Sequence, residues 1–165
     1  MESPIVTRPA EAGDLCELGR MGGALVRLHH AFDPARFFLV DGVEDGYEQF
    51  LGSQLRDPKA ILAVAEMDGA RVGYAFARLQ PRDWNALLDA CGVLHDIYVE
   101  PIARKRGVGD ALLAYVAERL RDLGAPRVVL STAIGNEAAV HLFERFGFRR
   151  TMVEMTLELS PKGRR

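Results

Sequence analysis

The sequence predicts a mixed α/β domain whose central sheet carries helices on both faces, with elements in the order β-α-α-β-β-β-α-β-α-β. Three observations predict it. Two apolar, β-prone runs flank Asp68-Gly69, a strong short-range hairpin signal. Strand and helix patterns alternate from there to the end of the chain, as in a β-α-β-α-β half. The 165 residues contain no internal repeat and no Gly-, Pro- or Ser-rich linker, so 1–165 is expected to be one domain, with 160–165 a frayed tail.

Taken in order, residues 5–8 read as a short strand stopped by Pro9. Asp14 is placed to cap a helix running to about His30, with Leu15, Leu18, Met21, Leu25 and Leu28 as its apolar stripe. Residues 31–41 read as irregular, with Asp33-Pro34 as a turn, and a second helix follows at 43–56, ended by Asp57-Pro58. The hairpin strands are 60–67 and 72–80. Residues 81–92 form a loop, and 93–99 a strand ended by Pro101. Apolar residues at helical spacing mark a helix over 107–123, with Gly124 as its stop. A strand at 127–132, a helix at 136–146 closed by Gly147, and a last strand at 148–159 complete the order.

The formal net charge is −2, so no global field draws the chain to nucleic acid or to an anionic membrane. The two cysteines, Cys16 and Cys91, fit neither a disulfide framework nor a zinc spacing. The opening residues MESPIVTRPA lack the basic and apolar regions of a signal peptide, and no apolar run is long enough to span a bilayer. A cytoplasmic location is therefore expected. The adjacent pair His29-His30 diverges on a helix and offers no ligand spacing, so no metal is expected.

The strongest chemical signal is the stretch from Val99 to Gly109, Val-Glu-Pro-Ile-Ala-Arg-Lys-Arg-Gly-Val-Gly, between a strand and a helix. Such a loop presents successive backbone N–H groups at a helix N-terminus, where the macrodipole favours anions. Gly107 and Gly109 allow close backbone approach, and Arg104, Lys105 and Arg106 supply charge for phosphate oxygens. A diphosphate ligand is expected. Gly109 is followed by Asp110 and Ala111, which breaks the P-loop pattern, and Leu112 stands where a dinucleotide fingerprint needs its third glycine.

The pattern that fits is Arg-x-x-Gly-x-Gly after a strand ending Val-x-Pro. With Leu94-His95-Asp96-Ile97-Tyr98-Val99 before it, and Asn136-Glu137-Ala138-Ala139 and Leu142-Phe143-Glu144-Arg145-Phe146-Gly147-Phe148 after it, the chain resembles the GNAT N-acetyltransferase superfamily over residues 93–159. The resemblance implies acetyl-CoA as acyl donor, a primary amine of a small molecule as acceptor, and a splayed central sheet that takes the pantetheine arm as a pseudo-strand. It implies that Ile97, Tyr98 and Val99 hold the arm and thioester, that Arg104, Lys105, Arg106, Gly107, Val108, Gly109 and Asp110 wrap the pyrophosphate, and that Asn136, Ala139 and Phe143 touch the pantetheine and sulfur end. A homodimer is implied by the resemblance alone. Other acceptors in the same class are a protein lysine or N-terminus. A non-catalytic acyl-CoA sensor is the rival from another class.

Acyl transfer to an amine needs a base, and His95 and Asp96 lie beside the expected thioester. Strict alternation puts Leu94, Asp96, Tyr98 and Glu100 on one face and His95, Ile97 and Val99 on the other. Only one of the pair then faces the amine, unless a bulge intervenes. The stretch is very similar to the Leu-Glu-Asp-aromatic-aromatic-Val of diamine acetyltransferases, with His95 in place of the Glu. Phe143 stands where many relatives carry a tyrosine as general acid, and phenylalanine donates no proton. His29, His30 and Phe32 are expected at the acceptor border, and Trp84 either lines that border or packs under its loop.

Overall fold

The computed structural model describes residues 4–159; the tail expected at 160–165 lies outside them. Five strands form one sheet in the order β1 (Val6–Pro9), β2 (Ala60–Met67), β3 (Ala70–Gln80), β4 (Cys91–Val99), β5 (Val128–Leu130). Neighbours are antiparallel as far as β4, and β4 pairs with β5 in parallel. Four helices complete the fold: α1 (Leu15–Phe32), α2 (Val43–Gln54), α3 (Val108–Asp122) and α4 (Glu137–Phe146). This is the mixed α/β architecture that the alternation predicts. At the β2–β3 turn, Asp68 and Gly69 both have positive φ (51° and 76°), as a two-residue hairpin with the right twist demands.

Each face of the sheet has its own core. On one, Leu18, Met21, Leu25 and Leu51 of α1 and α2 bury against Leu62, Val64, Tyr74, Phe76 and Tyr98. On the other, α3 lays Val108, Leu112, Val116 and Leu120 over Ala63, Ala65, Ala75 and Ala77. The small side chains on that face of β2 and β3 let α3 come close, while the opposite face of the same strands carries the large ones. The period-2 pattern thus separates two layers within one hairpin.

Two expectations change. Asp14 is buried at the N-cap of α1, but its carboxylate makes no cap bond. It accepts from Arg8 (2.8 and 3.0 Å), from Arg71 and from the Glu11 amide, pinning β1, β3 and the turn before α1 together. The second change is larger. The last strand expected at 148–159 does not form. Gly147 (φ +116°) ends α4, and Phe148 folds onto Phe143 and Phe146. Beyond it the described residues have no regular secondary structure and pair with no strand. Alternation supplies one apolar face but no ladder, and a strand exists only through its partner.

Candidate active site

The chemistry expected on β4 depends on one irregularity. In the β3–β4 ladder Phe76 lies opposite Asp96 and Ala77 opposite Leu94, so His95 is the extra residue of a β-bulge. The bulge changes the phase of the strand. Leu94 joins Ile97 and Val99 on the α3 face, and Tyr98 lies in the α1–α2 core. Leu94 and Tyr98 therefore lie on opposite faces, against strict alternation. His95 and Asp96, adjacent in sequence, both line one cleft.

That cleft, of about 460 Å³, is walled by Tyr47, Phe50 and Gln54 of α2 and by Phe76, Arg78 and Gln80 of β3. The residues of α2 stand at i, i+3 and i+7, one helical face, and those of β3 at alternate positions, one face of the strand. The imidazole of His95 stacks on Phe76 (centroids 5.2 Å apart, 24° between planes), with Nε2 3.0 Å from Gln80 Nε2. Burial, aided by the charge of Arg78, lowers its pKa, so the ring is neutral near pH 7 and able to accept a proton. Asp96 sits deeper. Its Oδ2 accepts from the hydroxyl of the buried Tyr74 (3.1 Å), and Tyr47 also hydrogen-bonds it. Burial raises the carboxyl pKa, against the lowering effect of the two tyrosines. Burial raises both tyrosines in turn, Asp96 adding to it, so each stays a protonated donor.

Beside the cleft the sheet opens. β5 pairs only with Gly92, Val93 and Leu94, so on that side β4 from His95 to Val99 has no strand alongside it among the described residues. At the end of this open edge, residues Arg104 to Gly107 are exposed, with positive φ at Lys105 (59°) and Gly107 (87°). Left-handed Gly107 followed by the right-handed first residue of α3 turns successive amides the same way, as in anion-binding nests, at the N-terminus of α3. Arg104 donates to the Val99 carbonyl (3.0 Å), while Lys105 and Arg106 make no ion pair among the described residues. A cationic, amide-rich loop thus continues an open strand edge that leads to a histidine and a half-buried carboxylate.

Residues 25–148 match the Acetyltransferase (GNAT) family. The chain belongs to the GNAT family. Among relatives of this GNAT chain, a mycothiol acetyltransferase of Cellulomonas flavigena is 34% identical over 110 residues, 65% of the chain and 31% of that protein. A streptothricin acetyltransferase of Streptomyces lavendulae is 32% identical over 113 residues, 68% of the chain and 56% of that protein. The match thus spans about a third of the length of the mycothiol enzyme. The aminoglycoside N-acetyltransferase AAC(6')-Iy, solved with a CoA bisubstrate analogue, shares the fold at a TM-score of 0.71 and 20% identity, over 96% of this chain and 99% of its own.

Several of the expected site residues are engaged elsewhere in this GNAT chain. Gly109 is not open space on its Cβ side. A Cβ there would lie 2.8 Å from Leu142 Cδ2, so the glycine also lets α3 and α4 approach each other. Asp110 pairs with Arg145 (2.8 Å). Asn136 caps α4 through the Ala139 amide (3.3 Å). Phe143 is buried against Phe148, and Ala139 packs on the same core. His29 meets the Leu25 carbonyl (2.9 Å) and His30 the Phe37 carbonyl (2.8 Å), tying the end of α1 to the following turn. His29 is near enough to Asp96 for its charge to lower that carboxyl. Phe32 packs beside Gly135. Trp84 is 77% exposed, with Arg82 over its ring, and neither lines the cleft nor packs under its loop. Among the described residues no group of three His, Cys, Asp or Glu could hold a metal. The cleft walls Tyr47, Phe50, Gln54, Phe76, Arg78 and Gln80 carry no motif. Their only sequence signal is the spacing of one helix face and one strand face.

Proposed function

We propose that this GNAT chain is an acetyl-CoA-dependent N-acetyltransferase acting on the primary amine of a small molecule. The observation that carries the proposal is the bulge, which brings His95 and Asp96 into one cleft beside the open edge of β4. The residues present fit the donor. The free backbone of Ile97, Tyr98 and Val99 supports the pantetheine arm as an added strand, and the exposed Lys105 and Arg106 with the first amides of α3 support its pyrophosphate. Acetyl-CoA supplies the acetyl group already activated as a thioester.

The chain's own part is to strip, orient and shield the amine. A primary amine reaches the cleft mostly protonated, and the neutral imidazole of His95 takes its proton directly or through water. Phe76 holds the ring flat, and the Gln80 amide nitrogen donates to the Nε2 lone pair, which the amine's proton takes over. Asp96, oriented by Tyr74 and Tyr47, attracts the ammonium before deprotonation. Phe143 offers no proton for the departing thiolate. A thiol pKa of about 8.5 makes protonation by solvent sufficient.

The likeness of the β4 motif to diamine acetyltransferases points to a polycation. The cleft, however, holds a single carboxylate together with Arg78, whose own ion pair is with Asp57 (2.7 Å). That favours an acceptor with one amine and an aromatic or polar body set between Phe50 and Gln54. The names of the mycothiol and streptothricin enzymes agree with a small acceptor. No described helix is long and apolar enough to cross a membrane. We place the enzyme in the cytoplasm, as one domain and a homodimer.

The test is calorimetric titration with acetyl-CoA, with ATP and NAD as controls, followed by an amine panel. Acetyl-CoA alone should bind in the micromolar range. His95→Ala and Asp96→Asn should each lower turnover by about 100-fold or more while donor affinity stays within about threefold. No binding of acetyl-CoA, or undiminished turnover in both variants, would overturn the proposal.

A further inference from the structure

We infer that the acceptor is a primary amine with an extended apolar tail, and that a second cleft, opened by Gly46, takes that tail. This rests on the acetyltransferase reading above and names its class of acceptor. The second cleft, of about 400 Å³, lies between α2 and the turn before it and is lined by Phe38, Val40, Val43, Gly46, Tyr47 and Phe50. Tyr47 and Phe50 also wall the cleft that holds His95 and Asp96, so the two clefts meet across these rings. Val43, Gly46, Tyr47, Phe50 and Gln54 share one face of α2, a continuous wall about 16 Å long at the helical rise of ~1.5 Å per residue.

The character of this wall changes along its length. At one end stand Asp96, His95, Gln54 and Arg78. At the other, Phe38 and Val40 are 66% and 55% exposed around the second cleft. Asp41, the one charged residue lining that cleft, is itself exposed. Apolar side chains left bare around a concavity mark a surface made for a ligand. Continuity with the carboxylate that attracts the ammonium identifies which ligand, one with its amine at Asp96 and its apolar chain beyond Phe50.

Gly46 sets the room available. It is helical, its amide donating to the Gly42 carbonyl (3.0 Å), and a Cβ on it would meet no atom within 4 Å. Glycine weakens a helix interior, and no packing neighbour requires one here. What its missing side chain provides is space in the cleft. Gly22 of α1 differs, because a Cβ there would strike the ring of Tyr47, so that glycine seats the wall between the two clefts.

Acetyl transfer to linear alkylamines, from ethylamine to octylamine, keeps the amine constant and varies only the tail. The kcat/KM should rise roughly threefold per methylene once the tail passes Phe50. Gly46→Leu should cut the octylamine-to-ethylamine ratio of kcat/KM by about tenfold without lowering the melting temperature, and Phe38→Ser should lower the same ratio. A kcat/KM that is flat with chain length, or a ratio unchanged in Gly46→Leu, overturns the inference and leaves the acetyltransferase reading standing. So does a diamine of the same length that outperforms octylamine, which would put a second ammonium at Asp41. No transfer to any amine, in this series or in the panel above, overturns that reading and the inference with it.

Discussion

Gly109 offers a sharp separation of packing from ligand binding. Replacing it with alanine places a Cβ 2.8 Å from Leu142 Cδ2, where carbon atoms normally rest about 3.5–4.0 Å apart. Leu142 is only half-buried, so it can turn aside, at a strain of about 0.5–1.5 kcal/mol or somewhat more if α4 must shift. The better helix propensity of alanine returns up to about 1 kcal/mol, less in a first turn. The net cost is about 1 kcal/mol, a fall of roughly 2–4 °C in melting temperature for a chain of this size. Donor affinity should change by less than about threefold, because the new methyl points at α4 and not at the open side of the loop. The assay is a thermal double-mutant cycle with Leu142→Ala, acetyl-CoA affinity being measured in each variant. Removing Leu142 should relieve the clash, giving a favourable coupling of about 1 kcal/mol. Strictly additive melting effects would refute the packing argument. So would a tenfold loss of acetyl-CoA affinity in Gly109→Ala at unchanged melting temperature, which would assign the glycine to the ligand.

Other expectations follow from the same geometry. The kcat/KM of the wild type should rise with pH through the lowered pKa of His95. Arg78→Gln, which removes a positive charge, should move that limb to higher pH in a pH–rate profile. Asp14→Ala should cost about 2–3 kcal/mol in denaturant unfolding, since it leaves Arg8 and Arg71 without their buried partner, although both can turn toward water. The Arg8 hydrogen bonds, against burial and with help from the Glu11 amide and Arg71, hold the Asp14 carboxyl well below the usual range. Its contribution is therefore complete above the unfolded carboxylate pKa and is lost as pH falls, so wild type and Asp14→Ala should converge in stability in strong acid. Lys105→Ala with Arg106→Ala should weaken acetyl-CoA about tenfold at low ionic strength in calorimetry, and the gap should shrink at about 0.5 M salt.

Much of this was legible in the residues. The hairpin turn, the glycine loop and α3 follow directly from local rules, because turn chemistry and helical spacing are short-range. The bulge was not legible. Leu94-His95-Asp96-Ile97 carries no glycine to mark it, and the extra residue is fixed by the β3 register instead. Tyr47 and Tyr74 escaped for a related reason. Each reads as an ordinary core aromatic until α2 and β3 bring both hydroxyls to one carboxylate. The end of the chain failed in the opposite sense. Its period of two is plain, but alternation names a face and not a partner, and among the described residues it pairs with no strand.

The bulge on β4 also bears on how this chain should be compared with its relatives. A residue that opposes nothing can be removed or duplicated without breaking the ladder on either side, so the strand can tolerate a one-residue length change there. Homologues aligned without a gap at His95 would then have every inward and outward position exchanged on one side of it. Substitution patterns tallied from such an alignment would credit the wrong residue with the chemistry.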